Sequence, residues 1–137
     1  MKKTQKTLIA IVLIVITTLT SITAFASNEE PSPRLSHTED GHFTFAATEN
    51  GGYCETTYYG YDSFVRADLT IKVQKRFLLV FWNDVGEWQA SSTEKDGYFF
   101  HAFALNGSGM YRATFTLTIT GNNGTVDTIE QVIESKY

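Results

Sequence analysis

Val65-Arg66-Ala67-Asp68-Leu69-Thr70-Ile71-Lys72-Val73-Gln74 alternates without a break between apolar and polar side chains. Successive residues of an extended strand point to opposite faces, so this stretch buries its odd positions and wets its even ones. A helix would scatter the same residues around its axis and bury neither set. Residues 111–120 repeat the device: Tyr111, Ala113, Phe115, Leu117 and Ile119 point one way, Arg112 and four threonines the other. Both stretches are rich in β-branched and aromatic residues, which pack well on a pleated surface. Residues 42–48 are a shorter version, with Phe43, Phe45 and Ala47 inward.

Four further runs complete the strand list. Residues 77–82 and 98–105 are apolar on both faces, which suits a strand covered on both sides or a surface awaiting a partner; His101 interrupts the second. Residues 88–92 and 126–133 alternate more weakly. Beyond the N-terminus no stretch holds a helical stripe for three turns. Turn-forming residues fall between the runs. Thr120-Gly121-Asn122-Asn123-Gly124-Thr125 carries an Asn-Gly pair, where left-handed backbone angles are cheap, and predicts a tight hairpin. Asp96-Gly97 and Asn106-Gly107-Ser108-Gly109 mark two more corners, and Asn83-Asp84-Val85-Gly86 a turn between Trp82 and Trp88. Seven or eight short antiparallel strands with such spacing predict an all-β domain, a two-sheet immunoglobulin-like sandwich over residues 35–137, with a closed barrel as the alternative.

Gly109-Met110-Tyr111-Arg112-Ala113 opens one of the alternating strands after a glycine-rich corner. Immunoglobulin-like sandwiches often place a tyrosine there and bond its hydroxyl back across the corner. Ala113 stands where an antibody domain has its second cysteine. Cys54 is the only cysteine, so the fold must hold without an internal disulfide. It reads as a tolerated thiol, the alternative being a bond to another chain.

The order Leu69-Thr70-Ile71-Lys72-Val73-Gln74-Lys75-Arg76, then Trp82 and Trp88, then Gly109-Met110-Tyr111-Arg112-Ala113-Thr114-Phe115, then a hairpin and a closing strand, resembles a group of small exported Ig-like proteins of Gram-positive, clostridia-type bacteria. That group pairs an LTLQKK-like strand with a GTYRVKATVTV-like strand downstream and has no assigned activity. The resemblance implies fold and export and says nothing about chemistry. The chain departs from the group by its aromatic run at 77–82 and by a tyrosine-rich insert near residues 53–61.

The N-terminus has the grammar of an export signal. Lys2, Lys3 and Lys6 precede an unbroken apolar run over residues 8–16, and Ala24-Phe25-Ala26 offers the small residues a signal peptidase requires. Residues 1–26 are therefore read as a signal peptide cut after Ala26, and the product as secreted, extracellular or cell-wall associated. An uncleaved anchor is the alternative, diluted by Thr17, Thr18, Thr20, Ser21 and Thr23. Residues 27–34 hold both prolines and read as a flexible linker. Three of the eleven Lys and Arg leave with the leader and none of the fifteen Asp and Glu, so the exported chain carries a formal charge of −7. Such acidity repels phosphate backbones and anionic lipid, which argues against nucleic acid and against any membrane contact except through an uncleaved leader.

Chemistry is sparse. The sequence has no nucleophile-elbow pattern, no phosphate-cradling glycine loop and no zinc-ligand spacing. No cofactor is implied. His37 and His42 flank Glu39-Asp40-Gly41 and read as solvated turn residues, not metal ligands. His101 lacks the partners of a catalytic base and reads as an ordinary strand histidine. Asp84 and Glu87 beside two tryptophans are the one carboxylate pair that could serve a small glycoside hydrolase. The sequons at Asn106 and Asn123 are incidental in a chain with a bacterial-type leader.

The aromatic residues are the best functional pointer. Tyr53, Tyr58, Tyr59 and Tyr61 lie within nine residues rich in Gly and Thr, a composition of contact loops. Trp82 and Trp88 flank the turn at 83–86. These six are the candidate binding residues, since exposed aromatics give large contact area at low entropy cost. The ordinary alternative is that they close the ends of the core. The resulting expectation is a secreted, non-catalytic binding or structural module for an unknown protein or glycan, with a small hydrolase or an exported toxin or inhibitor as runners-up.

Overall fold

A computed structural model of the protein describes residues 35–137; the expected leader and linker lie outside the described residues. Seven strands make up most of this span: β1 (Thr38–Thr48), β2 (Gly51–Gly60), β3 (Phe64–Phe77), β4 (Phe81–Ser92), β5 (Asp96–Phe103), β6 (Met110–Gly121) and β7 (Val126–Lys136). They form a three-stranded sheet in the order β1-β2-β5 and a four-stranded sheet in the order β4-β3-β6-β7, all neighbours antiparallel. The chain changes sheet after β2, after β4 and after β5. This is the two-sheet immunoglobulin-like sandwich that the alternation predicts.

The two stretches with the cleanest alternation sit side by side at its centre. Leu69 faces Leu117 and Ile71 faces Phe115 across the β3–β6 ladder, and all four are buried. Their even-numbered neighbours lie on the outer face. The opposite sheet supplies Phe45, Cys54 and Tyr58, with the Phe43 ring 5.3 Å from that of Phe115. Truncating one such side chain, as in Leu117→Ala, costs about 2–5 kcal/mol because the cavity closes only in part. The Tyr111 hydroxyl donates to the carbonyls of Asn106 and Gly107, as the glycine-rich corner predicts.

Three local expectations are corrected. Residues 77–82 do not form a strand of their own: Phe77 pairs with Phe81, and Leu78, Leu79 and Val80 make the hairpin turn between β3 and β4. Asn83-Asp84-Val85-Gly86, read as that turn, lies inside β4. Gln74 faces Asp84 while Val73 faces Gly86, so Val85 is the extra residue of a bulge. Asp96-Gly97 is not a corner but the start of β5. A Cβ on Gly97 would sit 2.1 Å from the Tyr58 ring, so the glycine is there to let that ring lie against the backbone.

The sandwich has two distinct ends. One gathers the start of β1, the β2–β3 loop and the β6–β7 hairpin, where His37, Ser63, Thr125 and Asp127 meet. The other gathers the β1–β2 turn, the β5–β6 loop and the β3–β4 hairpin. β3 pairs with β6 only as far as Lys75 opposite Tyr111, so the hairpin from Arg76 to Trp82 overhangs its sheet.

Candidate functional site

Tyr53, Tyr58 and Tyr59 lie not in a loop but in β2, the central strand of the three-stranded sheet. Its inward residues are Gly52, Cys54, Thr56 and Tyr58, small or polar enough to hide the alternation from a hydrophobic pattern. Tyr58 is fully buried, stacks between Phe64 and Phe99 and donates to the Glu94 carbonyl at 2.8 Å. It closes the core and offers nothing to a ligand. Tyr53 and Tyr59 point outward, and Tyr61 is exposed just beyond the strand.

The outward set is completed by residues that the tyrosine cluster did not announce. Tyr98 and Phe100 on β5 are more than half exposed on the same face. The rungs read Tyr53 opposite Ala102, Glu55 opposite Phe100, Thr57 opposite Tyr98, and Tyr59 opposite Asp96. One aromatic side chain therefore stands on each of four successive outward rungs. At about 3.4 Å per residue, the row is roughly 20 Å long. Tyr53 stacks on Phe100 with ring centroids 6.2 Å apart, and the Tyr98 hydroxyl donates to Glu55 Oε1 at 3.1 Å. Desolvation and the adjacent Glu55 both raise the Tyr98 pKa, so the phenol remains a donor at neutral pH. Where the row reaches the end with the β1–β2 turn, it opens into a shallow depression lined by Thr48, Asn50, Gly51, Tyr53, Phe100 and Ala102. The signal that could have found Tyr98 and Phe100 was the two-sided apolar run at 98–105: one side faces the core, the other solvent.

The tryptophans separate. Trp88 faces Ile71 and so points between the sheets, 4.4 Å from the His101 ring and 4.8 Å from that of Phe103. It shields the open edge between β4 and β5. His101 is thus packed against aromatic rings, with no carboxylate orienting it among the described residues. Trp82 lies on the outer face of the four-stranded sheet with the Arg112 guanidinium 4.2 Å above its ring. The six candidate residues therefore do not form one site.

The bulge at Val85 brings Asp84 and Glu87 onto the same outer face, where Glu87 pairs with Lys72 and Asp84 with Gln74. Asp84 is held in a chain of contacts: Gln74 Nε2 donates to it at 2.6 Å, Lys72 Nζ lies 3.2 Å away, and Arg112 donates to Gln74 at 2.8 Å. The Gln74 amide first, then Lys72, pull the Asp84 carboxyl below its ordinary range. Tied to an amide and a cation, the Asp84 carboxylate is unsuited to the part of general acid.

His37 is not a solvated turn residue. It is buried, its ring within hydrogen-bond reach of Ser63 Oγ at 2.8 Å and Thr125 Oγ1 at 2.5 Å. Asp127 Oδ2 accepts the backbone N–H groups of Ser36 and His37 at 2.7 and 2.6 Å. Asp127 thus binds backbone and does not orient the imidazole, so His, Ser and Asp here form a structural clamp. A Cβ on Gly121 would meet the His37 ring at 2.2 Å, so a glycine seats the imidazole. His42 is exposed on the aromatic face, opposite Thr57. Burial pushes the Cys54 thiol up to about 12, which leaves it protonated and inert.

The class these features define is an immunoglobulin-like sandwich with an aromatic ladder on its smaller sheet. No family model matches the chain, and no curated protein matches it in sequence.

Proposed function

We propose that the chain is exported, in keeping with its leader and with its resemblance to small exported Ig-like proteins, and that residues 35–137 serve as a non-catalytic binding module. The contact surface is the outer face of β1-β2-β5, and its ligand class is an extended glycan. The observation that carries this reading is the ladder of Tyr53, Phe100, Tyr98 and Tyr59 on the outer face of a rigid sheet, the last three exposed and Tyr53 half-buried. Flat rings present apolar area to the C–H faces of sugar rings, while Glu55, Thr57 and the Tyr98 hydroxyl supply hydrogen bonds between them. The length of the row suits a linear chain of several sugar units. Presenting the rings from strands keeps the ordering cost of binding low.

A glycan array probed with the exported chain tests this reading. Tyr98→Ala with Phe100→Ala should weaken binding at least about tenfold while leaving the fold unchanged, because both side chains are surface residues. Tyr58→Ala should instead unfold the domain. Undiminished binding by the double variant removes the aromatic face from consideration. Retention on an immobilised protein but on no glycan moves the reading to a protein ligand. Export is tested by N-terminal sequencing of the extracellular product, expected to begin at Ser27.

A further inference from the structure

The β3–β4 hairpin ends in Phe77-Leu78-Leu79-Val80-Phe81, five consecutive apolar residues that are between 51% and 79% exposed. Nothing in the sandwich covers them, because the hairpin overhangs the last rung of its sheet. Leu78 and Leu79 take φ of 46° and 64°, the left-handed region that turns normally fill with Asn-Gly. Leucine there works against both solubility and local backbone preference. A polar Asn-Gly tip would close the hairpin at lower cost, so the apolar side chains need another explanation.

Immediately behind the tip the chemistry changes. Arg76 donates its Nε–H to the Leu79 carbonyl, which holds its guanidinium at the base of the turn. Lys75 reaches the Asn106 carbonyl, and Arg112 lies over the Trp82 ring. Asp84, the one carboxylate on the hairpin's first rungs, is already engaged by Lys72 and Gln74. Read along the hairpin, the order is an aliphatic and aromatic tip, then a rung that pairs Trp82 with Arg76, then Lys75 and Arg112. That is the depth profile of a bilayer interface: acyl chains, the headgroup boundary where tryptophan resides, and anionic phosphates.

We propose that this hairpin is a membrane-insertion finger that seats its five-residue tip in an anionic lipid bilayer. The exported chain's formal charge of −7 argues against lipid only as an average. The charges are unevenly spread: Glu39, Asp40, Asp62, Glu94 and Asp96 crowd the clamp end, with Lys95 among them, while at the finger end Lys75, Arg76, Arg112 and Lys136 outnumber Glu49, Asp84 and Glu134. The domain is therefore polarised along its strands, and an anionic surface turns the finger toward itself. A convex tip suits a fluid medium that closes around it, whereas a protein partner would have to supply a matching groove.

Vesicle co-sedimentation of the chain without residues 1–26 tests the proposal, the leader being removed because its own apolar run would bind lipid. The described domain carries its whole core within residues 35–137. Binding is expected to vesicles of phosphatidylglycerol and phosphatidylcholine in equal parts, with a blue shift in fluorescence that Trp82→Phe abolishes. Leu78→Asn with Leu79→Gly, whose turn remains well formed by circular dichroism, should lose at least about tenfold in binding. Lys75→Glu with Arg76→Glu should lose binding to the anionic vesicles, as should raised salt. Absence of binding by the unaltered chain, or equal binding by the Asn-Gly variant, overturns the proposal. Tip-dependent self-association in lipid-free buffer without vesicle binding also overturns it, and assigns the tip to a second copy of the chain.

Discussion

The two hairpins of the four-stranded sheet lie at opposite ends of the molecule and are built on opposite principles. The β6–β7 turn uses Asn122, Asn123 and Gly124, with φ of 78° at the glycine, and Asn123 caps the backbone N–H of Thr125 at 3.0 Å. Thr125 and the neighbouring Asp127 then reach back to His37, so the turn is both locally content and tied to the rest of the domain. The β3–β4 turn asks leucine to adopt angles it disfavours and then exposes it. One end is optimised for stability. The other leaves strained, exposed leucines at its tip, the feature on which the proposed lipid contact rests.

This contrast can be broken by mutation. Asp127→Ala should have the largest effect, a loss of about 3 kcal/mol in urea unfolding, because it leaves two backbone N–H groups at the clamp without their charged acceptor. Gly121→Ala should follow at about 2 kcal/mol by forcing the His37 ring from its seat. The paired substitution of Leu78 by Asn and Leu79 by Gly should go the other way, a gain of about 1 kcal/mol as the left-handed angles are relieved. A loss at the tip equal to that at the clamp would erase the distinction drawn between the ends.

Cys54 gives a sharper readout. Its thiol, pushed up to about 12 by burial, should resist thiol reagents at pH 8 and label only when the sandwich opens. Clamp variants should speed labelling, and the Asn-Gly tip should slow it. The smallest expected effect belongs to Asp68. The Ser91 hydroxyl, and then Arg66, lower its pKa from 3.8, so its contribution is full above that value and fades as the pH falls through the depressed one. Asp68→Asn should slightly flatten the acid limb of a pH–stability curve, leaving the neutral plateau nearly unchanged.

How much of this was legible in the residues depended on whether local chemistry and tertiary role agreed. In β3, β6 and the Asn-Gly hairpin they agree, and period-two alternation with turn chemistry was enough. In β2 the buried positions are Gly52, Cys54, Thr56, Tyr58 and Gly60, so hydrophobicity carries no alternation and the composition resembles a contact loop. At 77–86 the signals are inverted: an apolar run forms the turn and a turn-like tetrapeptide forms a bulge. The clamp joins His37 to Thr125 across 88 positions, a pairing no local pattern encodes. For the aromatic ladder, the tyrosines on β2 were visible, but their partners Tyr98 and Phe100 became meaningful only once β5 was placed beside them.

The chain enters the described domain beside the clamp and leaves it at Tyr137, hydrogen-bonded to Gly109 at the opposite end. Tension applied through the two termini therefore runs along the strands and loads the ladders in shear, so rungs must fail together and not peel one by one. A domain strung between two attachment points in this way would act as a stiff link under mechanical load.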